Sequence, residues 1–199
     1  RRPARGFAAV RRAECEAVLG HKFKTHELLD RAMTHRSAAQ GMAAQWSNER
    51  LEFLGDRVLG LIMVETLMER FPGAREGDLA PRLNALVSRE TCAVIGAELG
   101  LARFLIVDKS ERATGGPNKP TLLANAAEAV IGAIYLDTGM RAAEKFVLRQ
   151  WAAMLKGATE KPRDARYPIA PFVRARLHPA QAAGAAAEPC AVVAGENNE

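Results

Sequence analysis

The sequence predicts an all-α fold, and three observations carry that expectation. Apolar residues recur at helical spacing along most of the chain. The alternation expected of half-buried strands is almost absent. Gly, Pro and small polar residues fall at intervals that suit helix ends. Short amphipathic helices are expected over 8–18 and 26–34, separated by Gly20. After a loop around Gly41, Ser47 or Asn48 can cap a long helix that ends near Phe71-Pro72-Gly73. Asp78 can cap the next, with Pro81 tolerated in its first turn. That helix should break or bend near Ser88 and continue to Gly100. Leu101 to Val107 reads as a buried connector, and Thr114 to Pro120 as a loop. Two final helices are expected over 121–137 and 140–156, with Gly139 as the stop between them.

At 199 residues the chain suits one domain with tails, and its 48% of hydrophobic residues is enough for a sizeable core. We expect a flexible basic arm over 1–13, a folded domain over 14–157, and an Ala/Pro-rich tail over 158–199. The net charge of +5 lies in the arm, where Arg1, Arg2, Arg5, Arg11 and Arg12 precede the first acid, Glu14. The remainder carries 23 basic against 23 acidic side chains, so any nucleic-acid contact must come from a local patch. No apolar run suggests a membrane span. Cys15, Cys92 and Cys190 are odd in number and widely spaced, which favours free thiols and a cytoplasmic setting over a disulfide framework.

The informative stretch is Asn48-Glu-Arg-Leu-Glu-Phe-Leu-Gly-Asp56. With each residue turning about 100° around a helix, Glu49, Glu52 and Asp56 fall in one narrow stripe. Leu51, Leu54, Val58, Leu61 and Ile62 are expected opposite, with Phe53 and Leu59 flanking the acids. Clustered carboxylates beside apolar surface are costly without a neutralising cation. A second helix, Leu122 to Leu136, is apolar or small apart from Asn125, Glu128 and the Tyr135 hydroxyl, which marks it as buried. Asn125 and Glu128 are three apart and share a face. Packed together, the two helices would present Glu52, Asp56, Asn125 and Glu128, an all-oxygen set suited to Mg²⁺ or Mn²⁺. The alternatives are a structural hydrogen-bond network around Glu128 and an ordinary solvated acidic face.

The string Glu49-Arg-Leu-Glu-Phe-Leu-Gly-Asp56 resembles the signature of the ribonuclease III family. The likeness extends to Leu28–Ser37, to Phe71-Pro72 with Glu76-Gly77, and to Gly115-Gly116 followed by Leu122–Gly132 and Tyr135–Asp137. It covers about residues 14 to 157. The resemblance implies that Glu52, Asp56 and Glu128 bind Mg²⁺, that Asp56 and Glu128 are closest to the hydrolysis, and that Glu49 and Glu76 are supporting acids. It also implies a homodimer that cuts double-stranded RNA to 5′-phosphate and 3′-hydroxyl ends, each subunit supplying one site. Arg82, Arg89, Lys109, Arg112 and Lys119 are candidate phosphate contacts.

The chain departs from the family pattern in two ways. Asn125 stands where the family usually has an aspartate, which removes a negative charge from the metal site and predicts higher metal demand or a weaker enzyme. The stretch 158–199 shows no recognisable double-stranded-RNA-binding domain, so RNA affinity should be lower and salt-sensitive. The rival readings are a catalytically weakened module that binds RNA or ribosomes, and a di-iron carboxylate bundle. The latter needs Glu-x-x-His pairs, and none occurs around His21, His26, His35 or His178.

Overall fold

In a computed structural model, residues 9–41 and 43–159 are described. Most of the basic arm, most of the Ala/Pro-rich tail, Cys190 and His178 lie outside them. The described residues form nine α-helices joined by short 3-10 turns, with no strand. In chain order these are α1 (Ala9–Leu19), α2 (His26–Ala32), α3 (Glu49–Arg70), α4 (Glu76–Leu86), α5 (Arg89–Glu98), α6 (Lys109–Ala113), α7 (Pro120–Thr138), α8 (Met140–Gln150) and α9 (Ala152–Thr159). None is long and apolar enough to cross a membrane.

The core is built around α7. Its buried residues run from Leu122 to Ile134 and point in every direction, because α2, α3, α5 and α8 all pack against it. The α3–α7 crossing is the closest in the fold. A Cβ added at Gly55 would stand 1.8 Å from the Glu128 carbonyl oxygen, and one at Gly132 would stand 2.3 Å from that of Leu51. Only hydrogen fits at either position, so the two backbones meet almost directly. Helix α5 makes a similar approach, with a Cβ at Gly96 falling 2.5 Å from the Leu123 carbonyl oxygen.

Several boundaries differ from the sequence expectation for identifiable reasons. Helix α4 starts at Glu76, so Asp78 sits inside its first turn and is not the cap. Ser88 does mark the break before α5, where its hydroxyl accepts the Thr91 N–H. The last expected helix divides at Trp151. The Trp151 indole is fully buried and donates to the Leu86 carbonyl (2.8 Å), which satisfies the open end of α4 and pins the α8–α9 junction to it. Helix α6 falls between the expected connector and loop, in a stretch with no expectation of its own; Asp108 caps it by accepting the Glu111 N–H (2.7 Å). The connector 101–107 is buried as expected, and Ile106 bridges the backbone on either side of Thr34.

The apolar side of α3 also needs correcting. Leu51, Val58, Leu59, Ile62, Met63 and Leu67 are buried, whereas Leu61 is 48% exposed and Leu54 only partly covered. The buried stripe is therefore rotated toward the acidic one, and Glu52 stands at the seam between α3 and α7.

Candidate active site

The start of α3 is fixed by its backbone. Asn48 donates its N–H to the Thr34 carbonyl (2.8 Å) and its own carbonyl accepts the Glu52 N–H (2.8 Å). Its side chain makes no capping bond. The preceding Ser47 hydroxyl instead reaches Glu49 (3.2 Å). Glu49 also faces the Arg36 guanidinium at 3.7 Å, in an exposed pair. His35 serves the local backbone, as its Nδ1 accepts the Ser37 N–H (3.3 Å). Burial holds the ring below its ordinary pKa and so favours the neutral acceptor form.

Glu52 and Glu128 are brought together. Burial raises the pKa of Glu52, and the nearby Glu49 charge raises it further. For Glu128 burial is again the first cause and the charge of Glu52 the second. The half-buried Glu52 thus opposes the ionisation of Glu128 across the α3–α7 seam, as Glu49 opposes that of Glu52. Arg89, at the start of α5, faces both and lowers both partway. It is an exposed side chain standing over an acidic pair.

Asn125 and Glu52 line one cleft of about 900 Å³, together with Asn48, Glu49, Lys119 and Thr121. The other wall carries His35, Ser37, Asp108 and Glu111. Lys119 is tied within it to Glu111 (2.5 Å) and Thr114 (2.9 Å). Asp56 lies one turn beyond Glu52 on α3 and is ion-paired with Arg57, whose guanidinium stacks over the Phe53 ring at 5.1 Å. Glu76 is exposed at the start of α4 and does not line the cleft. Arg82 is stacked over Phe71 at 4.5 Å, and Lys109 and Arg112 are exposed on α6.

Among the described residues no three His, Cys, Asp or Glu side chains already form a metal-holding group. What the structure brings together is Glu52 with Asn125 in one cleft and Glu52 with Glu128 across the seam; Glu128 and Asp56 are not among the cleft's lining residues, and Asp56 is held by Arg57. That set fits a hard divalent cation: every donor is oxygen, and the charge that Glu52 sets against Glu128, and Glu49 against Glu52, is the kind of excess such a cation relieves.

One group near the acids was not anticipated. Cys92, on α5, is fully buried, and its thiol lies near enough to Glu128 to feel its charge. Burial first and the Glu128 charge second push the thiol well above its ordinary pKa. Nothing in the spacing of the cysteines signals this, because a thiol in a helix reads as a small apolar residue.

Comparison with known proteins follows the same lines. A profile described as ribonuclease-III-like matches residues 25–155. Ribonuclease 3 of Dinoroseobacter shibae is 47% identical over 164 residues, spanning 82% of this chain and 70% of that protein. Ribonuclease 3 of Caulobacter vibrioides is 44% identical over 176 residues, spanning 88% and 75%. Among solved structures, the nuclease domain of ribonuclease III from Campylobacter jejuni superposes with a TM-score of 0.67 at 38% identity, covering 72% of this chain and 97% of that one. That domain is flexible in its region involved in dimer formation.

Proposed function

The chain belongs to the ribonuclease III family, and from that premise we propose that it is a Mg²⁺-dependent endoribonuclease of double-stranded RNA. It hydrolyses phosphodiesters to 5′-phosphate and 3′-hydroxyl ends, in the cytoplasm, as a homodimer whose nuclease unit is residues 14–157. The observation that supports the reading is the Glu52–Glu128 pair, two half-buried carboxylates from different helices, with Asn125 in the same cleft as Glu52.

In this reading Glu52, Asp56, Asn125 and Glu128 hold the cation, and Mn²⁺ can take its place. The bound metal supplies a water of lowered pKa and offsets charge on the phosphate during in-line displacement. Glu128 and Asp56 orient the attacking water and accept its proton. Asp56, now paired with Arg57, would have to leave that guanidinium to serve a cation. Glu49 and Glu76 add negative potential at the margin. Arg89 has the position to contact the phosphate being cut, and Lys109, Arg112, Lys119 and Arg82 are phosphate contacts further along the duplex. Recognition depends on A-form shape and 2′-hydroxyls rather than on sequence, and binding should weaken steeply as salt is raised.

The dimer uses the apolar strip along α3. Phe53 is 68% exposed and Met68 59%, and with Leu61 they line one side of the helix, beside the 52%-exposed Leu136 of α7. A second copy related by a two-fold axis would cover all four and bring two sites to the two strands of one duplex.

A second reading, a weakened module retained for RNA or ribosome contact, is favoured by the amide at position 125. Cleavage of a long RNA duplex with Mg²⁺, with and without chelator, separates the two. Products with 5′-phosphates that disappear on chelation and in Glu128→Gln establish the nuclease. Duplex binding with no cleavage at any Mg²⁺ or Mn²⁺ concentration establishes the module.

A further inference from the structure

His35 lines the wall of the cleft opposite Glu52 and Asn125, and its position is closely fixed. Its backbone N–H donates to the Ile106 carbonyl (3.0 Å), and the Ile106 N–H donates to the Met33 carbonyl (2.8 Å). The ring joins a chain of bonds that runs from the cap of α6. Asp108 donates its backbone N–H to the Ser37 hydroxyl (3.1 Å), which lies 2.9 Å from Nδ1 of His35. Nδ1 also accepts the Ser37 backbone N–H (3.3 Å). A ring nitrogen that accepts carries no proton, so the proton of the neutral ring is assigned to Nε2. That Nε2–H has no hydrogen-bond partner among the described residues, and it is not sealed in the core. The cations of the cleft are already engaged: Arg36 faces Glu49 (3.7 Å), and Lys119 is tied to Glu111 (2.5 Å). Burial holds the His35 ring below its ordinary pKa, which suits a neutral donor rather than a third cation.

A fixed neutral donor matches a sugar hydroxyl better than a phosphate, whose charge calls for cations or a metal. The cleft, at about 900 Å³, is at the upper end of pockets that enclose a whole small molecule, about 300–1,000 Å³. It therefore has room for a ribose beside a phosphate at Glu52 and Asn125. The 2′-hydroxyl both donates and accepts, and it is the group that separates RNA from DNA. Asp108 supplies the complement on the same wall, since its Oδ1 accepts the Glu111 N–H (2.7 Å) and Oδ2 is left as an acceptor. We propose that His35 is a specificity-determining residue for the cleavage reaction: its Nε2–H donates to the 2′-hydroxyl of a ribose flanking the phosphate to be cut, and the Asp108 carboxylate accepts from that hydroxyl. The role rests on the nuclease reading, and the experiment separates the failure of one from the failure of the other.

RNA duplexes carrying a single 2′-deoxynucleotide, walked through the positions on either side of the cleavage site, are compared for the full natural chain, His35→Phe and His35→Gln. Each is followed as kcat/KM in Mg²⁺ and as duplex binding in chelator. For the natural chain, one position is expected to cost about three- to tenfold, the worth of one neutral hydrogen bond. His35→Phe has a ring without a donor. It should lose the same factor on the all-RNA duplex and nothing further from the deoxy substitution at that position. His35→Gln, which places an amide N–H near the site of Nε2–H, should keep part of the penalty. Deoxy penalties as large in His35→Phe as in the natural chain, at every position, overturn the contact. Failure of the natural chain to cut any duplex, with the position-specific binding penalty present, overturns the nuclease reading and keeps the contact. Nitrogen NMR of the natural chain decides the matter if His35→Phe does not fold. The His35 ring, assigned by its absence from His35→Gln, should show the Nε2–H tautomer, and that proton should shift downfield with the all-RNA duplex but not with the deoxy one. An Nδ1–H tautomer, or equal shifts with both duplexes, overturns the proposal.

Discussion

Asn125 concentrates the chemistry of the site into one atom. Its amide oxygen lines the same cleft as Glu52 and can ligate a hard cation, but it brings no charge. Glu52 and Glu128 already resist ionisation because of burial and, second, the charges of Glu49 and Glu52 respectively. A third carboxylate there would deepen that repulsion in the metal-free protein and be repaid when metal binds. Asn125→Asp is therefore expected to do two opposite things. It should lower the Mg²⁺ concentration needed for half-maximal cleavage by about tenfold, the lower end of what changes around a metal commonly produce. In chelator it should lower the Tm by a few degrees, equivalent to about 1 kcal/mol in a domain of this size. A Mg²⁺ titration of cleavage and thermal melts with and without chelator check both. Identical Mg²⁺ curves for Asn125→Asp and the natural chain would mean that position 125 does not touch the cation.

At the scale of elements, the α3–α7 crossing decides whether those side chains meet at all. Gly55 and Gly132 let two backbones approach so closely that any Cβ overlaps a carbonyl oxygen. Gly55→Ala must push the helices apart, and overpacking of this kind costs about 1–3 kcal/mol or more. We expect the upper end, a fall in Tm of roughly 6–12 °C, with weakened Mn²⁺ binding because the Glu128 backbone is the displaced group. Gly60 on the same helix has nothing within 4 Å of its Cβ position. Gly60→Ala should be neutral or stabilising, by up to about 1 kcal/mol from helix propensity. Equal melts for the two variants would refute the crossing as the determinant. These helices were legible in the sequence because a polar Asn125 and Glu128 inside an apolar run, and three acids at helical spacing, are strong local signals. Their orientation was not. Helix α3 carries apolar residues on two sides, Leu51, Val58, Leu59 and Ile62 on one and Leu54, Leu61 and Met68 on the other, and only packing against α7 selects the first. The division at Trp151 depends on a partner 65 residues away, beyond the reach of local pattern.

The whole molecule is shaped by what this selection leaves uncovered. Phe53, Leu61, Met68 and Leu136 remain exposed, and burying one large side chain of this kind is worth about 1.5–3 kcal/mol. The strip adjoins the acids directly, since Phe53 follows Glu52 in the chain and stacks under Arg57, the partner of Asp56. A second copy seated on Phe53 would therefore restrict Arg57 at the moment Asp56 is needed for metal, which couples assembly to the site through three adjacent side chains. Phe53→Asp inserts a charge into the strip and should convert a dimer into a monomer in sedimentation velocity at micromolar concentration. Met68→Lys does the same about three helical turns beyond Asp56, so its effect cannot be attributed to the cleft. Both variants should lose most duplex cleavage, and Met68→Lys should retain Mn²⁺ binding within about threefold, well inside the 10–100-fold range of changes that reach the metal's surroundings. If Met68→Lys sediments as the natural chain does, the subunits meet elsewhere and the exposed residues of α3 require another occupant.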